Sequence, residues 1–229
     1  MKLIRFSAVL CFSAFFFLSA QDAAAQVEIG IKVSPSIAST RTIAQSKYNL
    51  KSDGASGGFG FGVIADYFFG VNYAFSTGLL YNIKGGDVAY NYSESIDGTT
   101  TVKSAEDALS LHYLEVPLSL KLFTNEVAPD VRVYFQAGGS LNAMLAGRVN
   151  GDKVDSYGDK YTKRFNLFEI DGLLGAGAEW QLGQSTKLFG GLSYHHGLTD
   201  IDSFYEEELG DSKIELKNST FAIDFGIKF

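Results

Sequence analysis

Three observations on this 229-residue chain predict an all-β fold, an eight-stranded antiparallel up-and-down transmembrane β-barrel. Apolar residues recur at every second position in eight separate segments, which is the period of a strand with one apolar face. The connections between those segments alternate short and long, and the chain ends on Phe229, the last residue of a segment of unbroken alternation. An even strand number with short turns on one side and long loops on the other is the layout of an outer-membrane barrel. Composition agrees, since 19 Phe, 12 Tyr and 25 Gly coexist with a mean hydropathy of only +0.05. Apolar residues in such a chain must be interleaved with polar ones.

The N-terminus reads as a leader rather than as a strand. Lys2 and Arg5 precede an apolar run, Phe6 to Ala20, and Ala23-Ala24-Ala25 offers the small residues at which a signal peptidase cuts. Residues 1–25 are therefore expected to be a cleaved signal peptide and residues 26–229 the barrel domain. Removing Lys2, Arg5, Asp22 and Cys11 leaves 17 basic and 25 acidic residues and no cysteine. Disulfide and thiol chemistry are then excluded, and the net negative charge argues against a nucleic-acid partner.

The first strand starts at Val27, where Val27, Ile29, Ile31 and Val33 alternate with Glu28, Gly30, Lys32 and Ser34. Gly57 to Phe68 and Tyr73 to Val88 supply the second and third. The fourth is the clearest internal case: Leu114, Val116, Leu118, Leu120 and Leu122 alternate with Glu115, Pro117, Ser119 and Lys121. Pro117 cannot donate to a ladder, so a bulge and a local break in pairing are expected there. Val131 to Arg148, Phe165 to Trp180 and Lys187 to Gly197 follow. The eighth strand closes the chain with Phe221, Ile223, Phe225, Ile227 and Phe229. The short connections are 69–72, 123–130 and 181–186; the long ones are 39–56, 89–110, 149–164 and 198–218. Two aromatic girdles are expected, one from Tyr67, Phe68, Phe69 and Tyr73 and one from Tyr113, Phe165, Phe168 and Tyr194.

Alternation alone fits either a soluble barrel, apolar inside, or a membrane barrel, apolar outside; the leader, the loop sorting and Phe229 favour the second. The minority face then fills the lumen with Glu28, Lys32, Asp66, Lys84, Glu115, Lys121, Arg132, Glu169, Asp171, Glu179, Lys187, Asp224 and Lys228. These seven acids and six bases must largely neutralise one another, because an unpaired buried charge costs several kcal/mol. Eight strands leave room for side chains and not for an open channel. Charge order suggests a closure register in which Glu28 faces Lys228 and Lys32 faces Asp224.

The run Tyr113-Leu114-Glu115-Val116-Pro117-Leu118, together with Gly57-Gly58-Phe59 and the terminal Phe-Gly-Ile-Lys-Phe, resembles the PorT-type family of small outer-membrane β-barrel proteins of the Bacteroidetes. The resemblance covers nearly the whole mature chain. It implies the barrel fold and an outer-membrane location, and one branch of that family is linked to protein secretion. Phe229 resembles the terminal aromatic by which outer-membrane assembly machinery recognises its clients.

No cofactor is expected, and no catalytic or metal site. His112, His195 and His196 lie near the long-loop ends of the fourth and seventh strands, with the last two on opposite faces, so convergent ligands or a Ser–His pair are not evident. The fourth long loop carries Asp200, Asp202, Glu206, Glu207, Glu208, Asp211 and Glu215 against Lys213 and Lys217. It lacks the spacing of a calcium loop and reads as a solvated segment open to a surface or secretion partner. The expected role is structural or interactive at the membrane surface. A narrow pore or transport accessory is the alternative, and a lipid-modifying rim enzyme a third.

Overall fold

The computed structural model describes residues 27–229 apart from 45–48, 97–98, 156–157, 204 and 206–212, with 93–96, 99 and 100 described by their backbone. The expected leader lies outside the described residues. Eight antiparallel strands close into a ring in chain order: β1 (Val27–Ile43), β2 (Lys51–Gly70), β3 (Tyr73–Ile96), β4 (Thr99–Ala128), β5 (Val131–Val149), β6 (Phe168–Gln181), β7 (Lys187–Gly197) and β8 (Glu215–Lys228). The ring is sealed by β1 and β8, and at its end Ile29 and Phe229 exchange backbone hydrogen bonds of 3.3 and 2.8 Å.

Accessibility decides which face meets the membrane. Ile31 is 56% exposed and Leu120 52%, whereas Asp66 and Glu115 are fully buried. Apolar side chains point out and charged ones point in, the inverse of a soluble barrel and the arrangement that lipid selects. On β4 the outward series Leu114, Val116, Leu118, Leu120 and Leu122 gives way to Ser110 and Ala108 above His112. The inward series changes at the same height, from Glu115, Ser119 and Lys121 below to Tyr113, Leu111 and Leu109 above. The membrane belt therefore ends near His112.

Several details differ from the sequence expectation. The 89–110 connection is mostly strand: β3 runs to Ile96, β4 starts at Thr99, and the two stay paired through Ile96 and Thr99. Pairing to β2 stops at Ala89 and pairing to β5 stops at Leu109, so the intervening ribbon stands clear of the barrel wall. Outside lipid the ribbon is tied to the cap through Tyr90 at its base, and its Ser- and Thr-rich sequence reads as a loop. β4 also runs on to Ala128, with bulges after Phe123, leaving Pro129 and Asp130 as the turn. The left-handed backbone of Asp130 (φ 60°) suits such a turn.

Pro117 causes no bulge. Its pairing with Ser140 is regular, but the expected local break is present on its other side, where the β3–β4 ladder lapses at Gly78 and Leu79, opposite Pro117 and Val116, and resumes in the same register. The β1–β8 register is two residues from the one that charge order suggests: Gly30, not Glu28, faces Lys228, and Lys32 faces Gly226. A slip of two keeps every side chain on its own face, and long side chains still span the offset.

The girdles are also redrawn. Tyr67, Phe69, Tyr73, Phe168 and Tyr194 lie on the outer surface as expected, but Phe68 turns inward and Tyr113 and Phe165 are buried. Tyr113 and Phe165 belong to an apolar cap at the long-loop end with Leu50, Val88, Leu109, Leu111, Met144, Val149, Ile201, Tyr205, Ile214 and Leu216. The fourth loop folds over this cap. Ile201 N–H donates to Leu216 O at 2.8 Å, Asn166 N–H to Ile201 O at 2.9 Å, and Tyr205 stacks edge-on against Tyr90 at 5.1 Å.

Candidate functional site

The lumen holds the chemistry, and its charged groups form three sets. Nearest the short-turn end, Lys228 contacts Asp66 and Glu179 closely and lies 3.8 Å from Glu28. Lys187 contacts the other oxygen of Glu28, and Lys121 is 3.0 Å from Asp66. Three acids meet three bases, so the set is neutral. Aromatic rings close it off below: Phe68, Phe123 and Tyr134 pack with Ala74. Lys228 lies 5.7 Å from the Phe123 ring centre and Lys121 5.3 Å from that of Tyr134, within cation–π range. The Tyr134 ring crosses the lumen where two strands carry glycine, since a Cβ on Gly177 or Gly191 would come within 2.5 or 2.6 Å of it.

Arg132 does not join this set. Its guanidinium stacks on Phe123 and donates to Thr124 O at 3.2 Å, Val71 O at 2.8 Å and Asn72 Oδ1 at 2.9 Å. It braces the β2–β3 turn against the end of β4 at the short-turn rim, a role charge patterning could not reveal because its acceptors are carbonyl and amide oxygens.

A second set sits higher. Lys32 pairs with Asp224 at 3.1 Å, and Ser34 donates to the same carboxylate at 2.6 Å. Lys32 thus pairs with Asp224 as charge order suggests despite the shifted register, whereas Glu28 stays 3.8 Å from Lys228 and takes Lys187 as its hydrogen-bonded partner.

The third set is built from β3, β4, β6 and β7. Lys84 Nζ is 2.9 Å from Asp171 Oδ2, 3.7 Å from Glu115 Oε2 and 3.9 Å from Glu169 Oε2. Asparagines complete its shell: Asn142 accepts from Lys84 at 3.0 Å and donates to Asp171 at 2.9 Å, Asn82 donates to Glu115 at 2.6 Å, and Asn218 donates to Glu169 at 3.0 Å. His195 Nδ1 faces the remaining oxygens, 3.2 Å from Asp171 Oδ1 and 4.0 Å from Glu115 Oε1. The expectation that no histidine converges with metal-binding groups is corrected here. Glu115, Asp171 and His195 are all buried, and one ligand atom of each lies within 4.8 Å of the others. A void of about 20 Å³, room for a single water, opens between this set and the Lys32–Asp224 pair.

His112 and His196 face outward as the alternation requires. Each contacts a tyrosine hydroxyl, His112 that of Tyr81 and His196 that of Tyr194 at 3.0 Å. In the fourth loop, Asp200 accepts from the backbone N–H of Asp202 at 3.0 Å and of Leu216 at 2.8 Å, so this acid shapes the loop. Glu206, Glu207, Glu208 and Asp211 lie outside the described residues. Tyr205 donates to Asp107 at 2.7 Å; burial and that carboxylate hold its phenol well above the usual tyrosine range.

The family profile described as outer membrane protein beta-barrel domain matches residues 19–203. No curated protein matches the sequence. Among solved structures, Neisserial surface protein A is similar with 14% identity and a TM-score of 0.51, covering 90% of this chain and 98% of its own. OprG of Pseudomonas aeruginosa is 12% identical over 90% of this chain and 97% of its own, with a TM-score of 0.48. Ail of Yersinia pestis, in complex with the heparin analogue sucrose octasulfate, is 14% identical over 89% and 99%, with a TM-score of 0.39. At these identities a likeness bears on fold alone, and only the first superposition exceeds one half. With the outward apolar belt and the charged lumen, the profile match establishes that this chain belongs to the outer-membrane β-barrel protein family and resides in the outer membrane.

Proposed function

We propose that this barrel is a closed, non-catalytic surface protein that acts through its extracellular elements and not through its lumen. The observation that carries the reading is obstruction at three levels: the Phe68–Phe123–Tyr134 group at one end, the ion-paired side chains in the middle, and the apolar cap at the other end. Each level is buried. A path for ions would have to displace paired charges and then cross an apolar layer, both of which oppose conduction.

Purified barrel in a planar lipid bilayer is expected to give no steady channel steps. Reproducible single-channel conductance would replace the closed-barrel reading with the narrow-pore one. The small polar void beside Lys84 favours that second reading, as does the PorT-type resemblance, whose secretion-linked branch would make the protein a transport accessory.

The ribbon of β3 and β4 beyond Ala89 and Leu109, with the fourth loop beside it, is the surface offered to partners. Assembly machinery would read β8 through Phe229, whose side chain points into lipid. Crosslinking at Val102, exposed on the ribbon, in intact outer membranes tests the interaction role. Specific protein adducts support it, and lipid-only adducts count against it.

A further inference from the structure

The two larger sets of lumen charges differ in one respect. Around Lys228, three carboxylates meet three ammonium groups. Around Lys84, the three carboxylates of Glu115, Glu169 and Asp171 meet a single ammonium among the described residues, leaving two negative charges in excess. Glu169 is 1% exposed, and its Oε1 has no hydrogen-bond partner among the described residues. Such an excess in a buried site calls for further positive charge.

We propose that Glu115 Oε1, Asp171 Oδ1 and His195 Nδ1 bind a divalent transition-metal ion of the zinc type inside the lumen. Imidazole and carboxylate together suit such an ion. Donors bound at about 2.0–2.2 Å in a tetrahedron stand about 3.3 Å apart. Here His195 Nδ1 is already 3.2 Å from Asp171 Oδ1 and 4.0 Å from Glu115 Oε1. Lys84 occupies the opposite oxygens, Oδ2 of Asp171 and Oε2 of Glu115, and so turns Oδ1 and Oε1 towards the imidazole. Ser140 donates to Glu115 Oε1 at 3.3 Å, and Asn142 and Asn82 fix the two carboxylates from behind. Three protein ligands leave a fourth position for water, and the void lined by Glu115, His195 and Lys84 provides the room. With His195 neutral, a divalent ion and Lys84 balance the three carboxylates.

The ligands come from β4, β6 and β7, so the ion would pin three strands of the wall together. Its function is structural, and it does not depend on whether the barrel conducts.

The mature barrel, folded into detergent micelles from chelator-treated protein with and without Zn²⁺ and then desalted, tests this by elemental analysis. One retained zinc per chain is expected, with a raised unfolding temperature and, on Co²⁺ substitution, the visible absorption of a tetrahedral site. H195Q, which keeps a neutral polar side chain facing Asp171, should weaken retention roughly tenfold or more and abolish the Co²⁺ band. H112Q and H196Q, on the outer face, should leave both unchanged. Absence of retained metal in the wild type overturns the proposal without recourse to any variant. Retention that survives H195Q, or that is lost in H112Q or H196Q, overturns it as well by placing the ion elsewhere. If H195Q does not fold, Cu²⁺ exchanged into the wild type decides: imidazole nitrogen coupling in its electron paramagnetic resonance spectrum is expected when a histidine binds, and its absence removes His195 from the site.

Discussion

Strand β4 passes through two solvents, and its side chains reverse their preferences where it crosses from one to the other. Below His112 the outward residues are Leu114 to Leu122 and the inward ones include Glu115 and Lys121; above it the inward residues are Leu109 and Leu111 and the outward ones Ser110 and Ala108. The lower half needs apolar groups where the lipid is. The upper half stands in water and needs a core of its own, which the fourth loop helps to cover. One strand thus carries an inside-out barrel wall and an ordinary hydrophobic core in succession. Stability in the first comes from matched charge and lipid contact, and in the second from apolar burial.

Substitutions that touch one half should therefore read differently from those that touch the other. The largest effect is expected for Lys228→Met in the lower half. It leaves Glu179 without its ammonium partner and Asp66 with Lys121 alone, and it should destabilise the barrel by about 4 kcal/mol, measured by denaturant unfolding in micelles with the single tryptophan, Trp180, as reporter. An unchanged midpoint would mean that water reaches those carboxylates.

Leu111→Ala in the cap should cost about 3 kcal/mol, and the loss should be local. Proteolysis of the extracellular loops is expected to accelerate while the Trp180 transition stays in place; a shift of both together would mean that cap and belt unfold as one unit. On the outer face of the same strand, Leu120→Arg should cost about 2–3 kcal/mol in a bilayer. Ala108→Arg should stay within about 0.5 kcal/mol. Equal effects would put the membrane boundary in the wrong place. In the cap, Tyr205→Phe removes the 2.7 Å bond to Asp107 and should weaken cap protection in hydrogen exchange by about 1 kcal/mol, less than Leu111→Ala.

The lower half was legible in the sequence because lipid imposes period two on every strand. Eight segments, their order and the inward charges at Glu28, Asp66, Lys121, Glu179 and Lys228 all follow from that rule. The upper half was not, because above the belt the faces exchange roles. Val88, Leu109 and Leu111 look like strays in a polar stretch until the Ile201–Leu216 segment is laid across them. The same loop announces its acids and conceals Ile201, Tyr205 and Ile214. Alternation separates His195 from His196 without bringing it to any partner, because Glu115 and Asp171 come from strands that only the closed curvature of the barrel brings within reach. Arg132 misled in the other direction, since a base among aromatics at a strand end has carbonyl partners that leave no trace in charge order.

The paired hydrogen bonds between Ile29 and Phe229 have a kinetic meaning. They join the two ends of the described chain, so the last contact of the ring spans nearly its full length and is the most demanding in loop-closure entropy. Until it forms, β1 and β8 each expose a row of unpaired peptide groups that hydrocarbon cannot satisfy. Entry into the bilayer and completion of the ring must therefore coincide, and a folding helper that shelters one bare edge until the other arrives would act on the contact with the largest loop-closure cost.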